Sequence, residues 1–124
     1  FASNLFLKGF IFIFKTMKME LKKILGSSLA TNPKQGKSFF SSLNEAAQGS
    51  NEIEISFEGI ELLSSAFLNE SIGKFVMMFP DKESNVKFIY PIDQPIFETK
   101  VNDVLDNVKM GDKYDEWLEN AQTH

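Results

Sequence analysis

The chain has 124 residues, 43% of them apolar and 24% charged, with a net charge of −4 and no cysteine. That length suits one domain with a real but small core. The lack of cysteine excludes disulfides, thiol nucleophiles and cysteine-held metals, and it fits a reducing cytoplasmic setting. The single histidine is the terminal His124 and all 13 basic residues are lysines, which argues against a histidine general base, a histidine metal site and bidentate arginine recognition of phosphate or guanine.

Charge is divided along the chain. Residues 1–37 hold seven lysines against Glu20 alone, and the remainder holds six lysines against sixteen acids. An acidic body argues against nucleic acid as the partner. The abundance of lysine, asparagine, isoleucine and phenylalanine suits an AT-rich bacterial coding sequence.

Taken in chain order, "FASNLFLKGFIFIFKT" comes first and carries five of the 13 phenylalanines within fourteen residues. Lys8 and Gly9 interrupt it well short of the roughly 20 apolar residues that a membrane span needs. Residues 1–16 read as an N-terminal extension: an added strand, a partner-binding arm, or a segment upstream of a natural start at Met17 or Met19. The alternation of Phe10, Phe12 and Phe14 favours a strand, and an exposed strand of this kind would allow a homodimer by strand exchange.

The domain is expected over 17–124. A short strand is expected from Met19 to Leu25, closed by Gly26 and a polar loop through Pro33. Phe39, Phe40, Leu43, Ala46 and Ala47 recur at helical spacing, with Ser38 able to cap the start and Gly49 ending the run. Ile53, Ile55 and Phe57 alternate with polar residues as in a half-buried strand. Leu68, Ile72, Phe75, Val76 and Phe79 then mark a helix that stops at Pro80. Val86, Phe88, Tyr90 and Ile92 alternate as a further strand. After Pro95 the helical spacing returns through Phe97, Val101, Val104, Leu105 and Val108, with Gly111 as the stop. Asp112 is placed to cap a last short helix carrying Tyr114, Trp117 and Leu118. Strands alternating with helices predict an α/β fold: one domain with a mixed sheet covered by helices, its neighbours parallel where a helix crosses over.

The segment "FEGIELLSSAFLNESIGKF", set between an alternating strand and a helix, resembles the STAS-like family of unknown function, which is related to the STAS domains of anti-anti-sigma factors. The resemblance covers roughly residues 19–110 and is densest at "SSAFLNESIGKF". In anti-anti-sigma factors the matching junction reads Asp-Ser-Ser-Gly, and a partner kinase phosphorylates its first serine. By register Ser64 stands at the aspartate, Ser65 at the phosphorylated serine and Phe67 at the glycine, so neither the aspartate nor the glycine is kept.

The resemblance implies a cytoplasmic, non-enzymatic regulatory domain with no cofactor. It would bind a protein partner, a histidine-kinase-type ATPase or a sigma-factor regulator, through Glu61, Ser64, Ser65, Phe67, Asn69 and Glu70. Phosphorylation of Ser65, or less favourably Ser64, would be the switch: a phosphate adds nearly two negative charges beside Glu58 and Glu61. The plainer reading of the same residues is that one serine caps the helix, since its oxygen can accept from an orphan backbone amide. A second functional class is a small anion or nucleotide module using the helix start after Ser65.

Several other features fall to simpler explanations. "QGKS" at 35–38 lacks the phosphate-loop glycine, because Thr31 stands there. Glu70 is favourable near a helix start, and Gly73 allows helix and sheet to pack closely. Asp103 and Asp106 read as a solvated face, as do Asp112, Asp115, Glu116 and Glu119, which miss calcium-loop spacing. Ser65 has no histidine to activate it, so an enzyme is disfavoured.

Overall fold

The computed structural model describes the backbone of residues 15–122 and the side chains of residues 15–111. The arm expected as a strand therefore lies largely outside the described residues, as do the side chains of Tyr114, Trp117 and Leu118. Strand β1 (Thr16–Glu20) opens the fold, followed by the short helix α1 (Leu21–Leu25) and the two-residue strand β2 (Leu29–Ala30). Helix α2 (Pro33–Gly49) leads to β3 (Glu52–Ser56), and β4 (Leu62–Leu63) leads to α3 (Ser65–Leu68). A π-helical segment (Asn69–Gly73) and α4 (Lys74–Met78) continue α3 directly. A 3₁₀ segment (Pro80–Asn85), strand β5 (Val86–Ile89) and helix α5 (Ile96–Gln122) complete it.

The strands form two parallel sheets, β1-β3-β5 and β2-β4. The sheet expected to be mixed is thus parallel in every described ladder, as βαβ connections require. In register, Met17, Ile53 and Val86 form one row and Met19, Ile55 and Phe88 the next. Met19, Ile53 and Ile55 are buried together with Phe39, Leu43, Phe75, Phe97 and Val101 of the helices. The alternate row, Lys18, Glu54 and Lys87, belongs to the opposite pleat. There Lys87 pairs with Glu52 at 3.1 Å. This period-two division is what the sequence alternation in β3 anticipated.

Four boundaries differ from expectation, each for a local reason. The strand expected over Met19–Leu25 ends at Glu20; the chain then turns into α1, which buries Leu21 and stops at Gly26 with φ +67°. Helix α2 starts at Pro33 rather than Ser38. Asn32 caps it, accepting from the Gln35 amide at 2.8 Å while Gln35 Oε1 accepts from the Thr31 and Asn32 amides at 2.9 and 3.2 Å. Proline at the first helical position completes that start, and Ser38 is an exposed residue inside the helix. Strand β5 ends at Ile89, so Tyr90 follows the strand and Ile92 is 100% exposed. The backbone of α5 continues past Gly111 and Asp112 to Gln122; glycine inside a helix costs only about 1 kcal/mol and does not by itself stop one.

Candidate functional site

The serine pair lies where β4 hands over to α3. The two hydroxyls do different things. Ser64 is the cap: its φ and ψ are extended, and its Oγ accepts the Phe67 amide proton at 3.1 Å. Its own proton goes to the Thr31 carbonyl at 2.7 Å. Thr31 follows β2, so this one hydroxyl ties the start of α3 to the start of α2 while satisfying an orphan helix amide. Ser65 is the first residue of α3 and is exposed, as is Ala66.

The helical run that follows divides sharply by face. Phe67, expected among the partner contacts, is instead fully buried, its ring stacked on Phe39 at 6.0 Å between centroids. An apolar ring at that helix position gains more from the core than from solvent. Leu68, Ser71, Ile72 and Gly73 are buried with it, whereas Asn69 is exposed and Glu70 half-buried. Ser71 is the one buried polar residue of the core among the described residues and donates to the Phe67 carbonyl at 2.8 Å.

Two glycines explain why this run packs so tightly. A Cβ added to Gly36 of α2 would stand 2.7 Å from the Phe67 carbonyl oxygen and 2.7 Å from Glu70 Cβ. Glycine at 36 therefore serves a helix crossing, and the "QGKS" stretch lies inside α2, not in a phosphate loop. A Cβ at Gly73 would stand 2.9 Å from Val104 Cγ1, so the close approach there is to α5 and not, as expected, to the sheet. Between these contacts the backbone widens into its π turn, with the Lys74 amide donating to the Asn69 carbonyl five residues back. Such single π turns recur at functional sites. Sequence reasoning missed this one, although it falls on the "NESIG" that carries the resemblance.

Beside the serines, β2 and β4 form a small platform. Leu29 and Leu62 are register partners and are 42% and 57% exposed. The backbone around this pair is taken up by side chains: Gln35 Nε2 donates to the Leu29 carbonyl at 2.7 Å, Lys100 Nζ to the Leu63 carbonyl at 2.8 Å, and Gln94 Nε2 to the Glu61 carbonyl at a long 3.5 Å. Strand addition is thereby discouraged, and the platform presents its leucines instead. The Gln94 and Lys100 bonds lay residues 94–100 along 61–63, which brings the half-exposed Ile96 to this end of the molecule. Glu61 is exposed there.

Asn69 and Glu70 line a separate open groove with Gly73, Lys74, Met77, Asn107 and Val108. Ser64 and Ser65 do not line it. Farther along the strand ends, Tyr90 stacks on Phe57 at 5.4 Å. Burial, and secondarily the charge of Glu98, push its hydroxyl from 10.0 up to about 12. Asp103 and Asp106 are exposed on α5 as expected. Among the described residues no group of three or more His, Cys, Asp or Glu side chains could hold a metal ion, and no helix is long and apolar enough to cross a membrane.

Residues 35–91 match the model of a family described as a STAS-like domain of unknown function. Over that stretch the chain is similar to STAS-like domains. The match begins inside α2, takes in β3, the serine junction and the π turn, and ends just after β5. It therefore includes both Gly36 and the Phe67 carbonyl against which Gly36 packs. No curated protein and no solved structure matches the chain.

Proposed function

We propose that this STAS-like domain is a non-enzymatic regulatory module that docks a protein partner through the outward side of the serine junction. The carrying observation is the division of labour between the two serines: Ser64 is committed to the fold at 2.7 and 3.1 Å, while Ser65 beside it is exposed. A residue free of structural duty at a helix start, with exposed Leu62 and Ile96 at the same end, has the make-up of an interface: an apolar centre with a polar, modifiable rim. Glu61, Ser65 and Asn69 are the contact residues of this reading, with Ser64 and Phe67 acting from beneath. Its partner class is a histidine-kinase-type ATPase or a related sigma-factor regulator, acting in the cytoplasm of a bacterium.

Phosphorylation of Ser65 is the proposed switch. It would place nearly two negative charges at the start of α3, three residues after exposed Leu62, and disrupt an apolar contact there by its desolvation cost. The test is a pull-down from bacterial lysate with wild type, Ser65→Ala, Ser65→Asp and Leu62→Asp, read by mass spectrometry. An ATPase or sigma-regulator homologue should be held by wild type and Ser65→Ala, and lost with either aspartate. If wild type retains no such protein, or if Ser65→Asp retains it as well as wild type does, the reading is wrong.

A further inference from the structure

At the end of the sheet remote from the serines, α2 finishes at Gly49 and the chain turns through Ser50 and Asn51 into β3, while the 3₁₀ segment Pro80–Asn85 feeds β5. This corner already contains a polar network. The Lys15 amide donates to Asn51 Oδ1 at 2.7 Å, and the Lys15 carbonyl accepts from the amides of Asn51 and Glu52 at 2.9 and 3.2 Å. One group stands outside it. Ser50 Oγ is the single buried side-chain oxygen or nitrogen among the described residues with no hydrogen-bond partner. Leaving a buried hydroxyl unpaired is costly, on the order of 1–3 kcal/mol, so each such group asks for a reason.

The reason lies in the space that Ser50 borders. It lines a partly enclosed cavity of about 20 Å³ together with Asn51, Lys82 and Asn85, against walls of Ala47, Ile53, Phe75 and Val86. A water molecule needs roughly 10–15 Å³ of such space and two to four polar partners. That space has room for one water, and the lining has no carboxylate to attract a metal ion. Size and chemistry thus agree on one small neutral ligand that can both donate and accept.

We propose that this cavity binds one ordered water, which pairs with Ser50 Oγ and bridges it to the polar groups of Asn85 and Lys82. The water joins the end of α2 to the 3₁₀ segment that sets β5 beside β3. It links two pieces of chain that share no direct side-chain hydrogen bond among the described residues. Ser50 is in this sense a water ligand, and its backbone is extended, at φ −139° and ψ 152°, a conformation that alanine adopts without strain.

The test has two parts: a crystal structure of the wild-type chain at a resolution that shows ordered water, and thermal melts of wild type against Ser50→Ala. Expected are a density peak roughly 2.6–3.2 Å from Ser50 Oγ with a second contact to Asn85, Lys82 or Asn51, and a melting temperature lowered in the variant by roughly 2–8 °C. The sign of that shift matters, because removing a truly orphaned hydroxyl leaves stability unchanged or raises it. A dry cavity, a Ser50 hydroxyl bonded directly to a protein atom, or a variant as stable as wild type would each overturn the proposal.

Discussion

The two sides of the helical run from Ser65 to Gly73 are built on opposite terms. On the inward side almost nothing is spare: the Ser64 hydroxyl serves both α2 and α3, the Phe67 ring and carbonyl are both engaged, and Gly36 and Gly73 admit neighbouring helices at distances no side chain would allow. On the outward side Ser65, Ala66 and Asn69 are exposed, as are Leu29 and Leu62 of the β2–β4 platform that leads into the junction. The lesson is that adjacent residues of one motif serve different ends. The structural members position the junction, and the exposed members are left to act on something else. A motif of this kind carries its function in what it does not bury.

The hardest test of that contrast is Gly36→Ala. A methyl group there meets a backbone oxygen, which cannot swing away as a side-chain end can, so the α2 crossing must open. Overpacking of this sort costs about 1–3 kcal/mol, measurable by urea unfolding, and an unchanged midpoint would mean that the inward side is looser than described. Next come the serines as a pair. Ser64→Ala should lose about 1 kcal/mol, the usual worth of a helix cap, whereas Ser65→Ala should stay within about 0.5 kcal/mol, as surface substitutions do. Equal losses at both positions would erase the distinction on which the functional proposal rests.

Tyr90, half-buried between the two regimes, gives the subtlest effect. Its hydroxyl is raised from 10.0 to about 12, by burial first and Glu98 second. The folded state therefore holds the phenol proton more tightly than the unfolded chain does. That contribution is fully present below pH 10 and is lost as the pH climbs toward about 12. Wild type should lose stability across this window relative to Tyr90→Phe, and the absorbance change of the tyrosinate should be delayed in the folded protein. Matching alkaline profiles for the two proteins would show that the ring is better solvated than its stacking on Phe57 implies.

Much of this architecture was legible in the order of residues. The alternation of Ile53 and Ile55 marked β3, the spacing of Leu68, Ile72, Phe75 and Val76 marked the inward side of the central helical run, and the segment around the serines carried a family resemblance that the match over residues 35–91 bears out. These are local signals, since a period of two or 3.6 is set by backbone geometry and by the face that must leave water. The start of α2 is not legible at Ser38, because Asn32 and Gln35 compete with it for the role of cap. The reciprocal bonds between Asn32 and Gln35 decide that competition.

The sequence by itself determined that the chain is an α/β domain, where its central strand and helices lie, and that a helix begins at a serine pair. Only the tertiary structure decided which serine is free. The Ser64 proton finds its acceptor at Thr31, 33 residues earlier in the chain, and no local pattern encodes a bond of that span. The same holds for Gly36, whose purpose appears only when α2 crosses the Phe67 carbonyl, and for Phe67, which moves from candidate contact to core once Phe39 lies against it. Periodicity tells a residue which way to face; what it meets there depends on elements that the chain brings together from far apart.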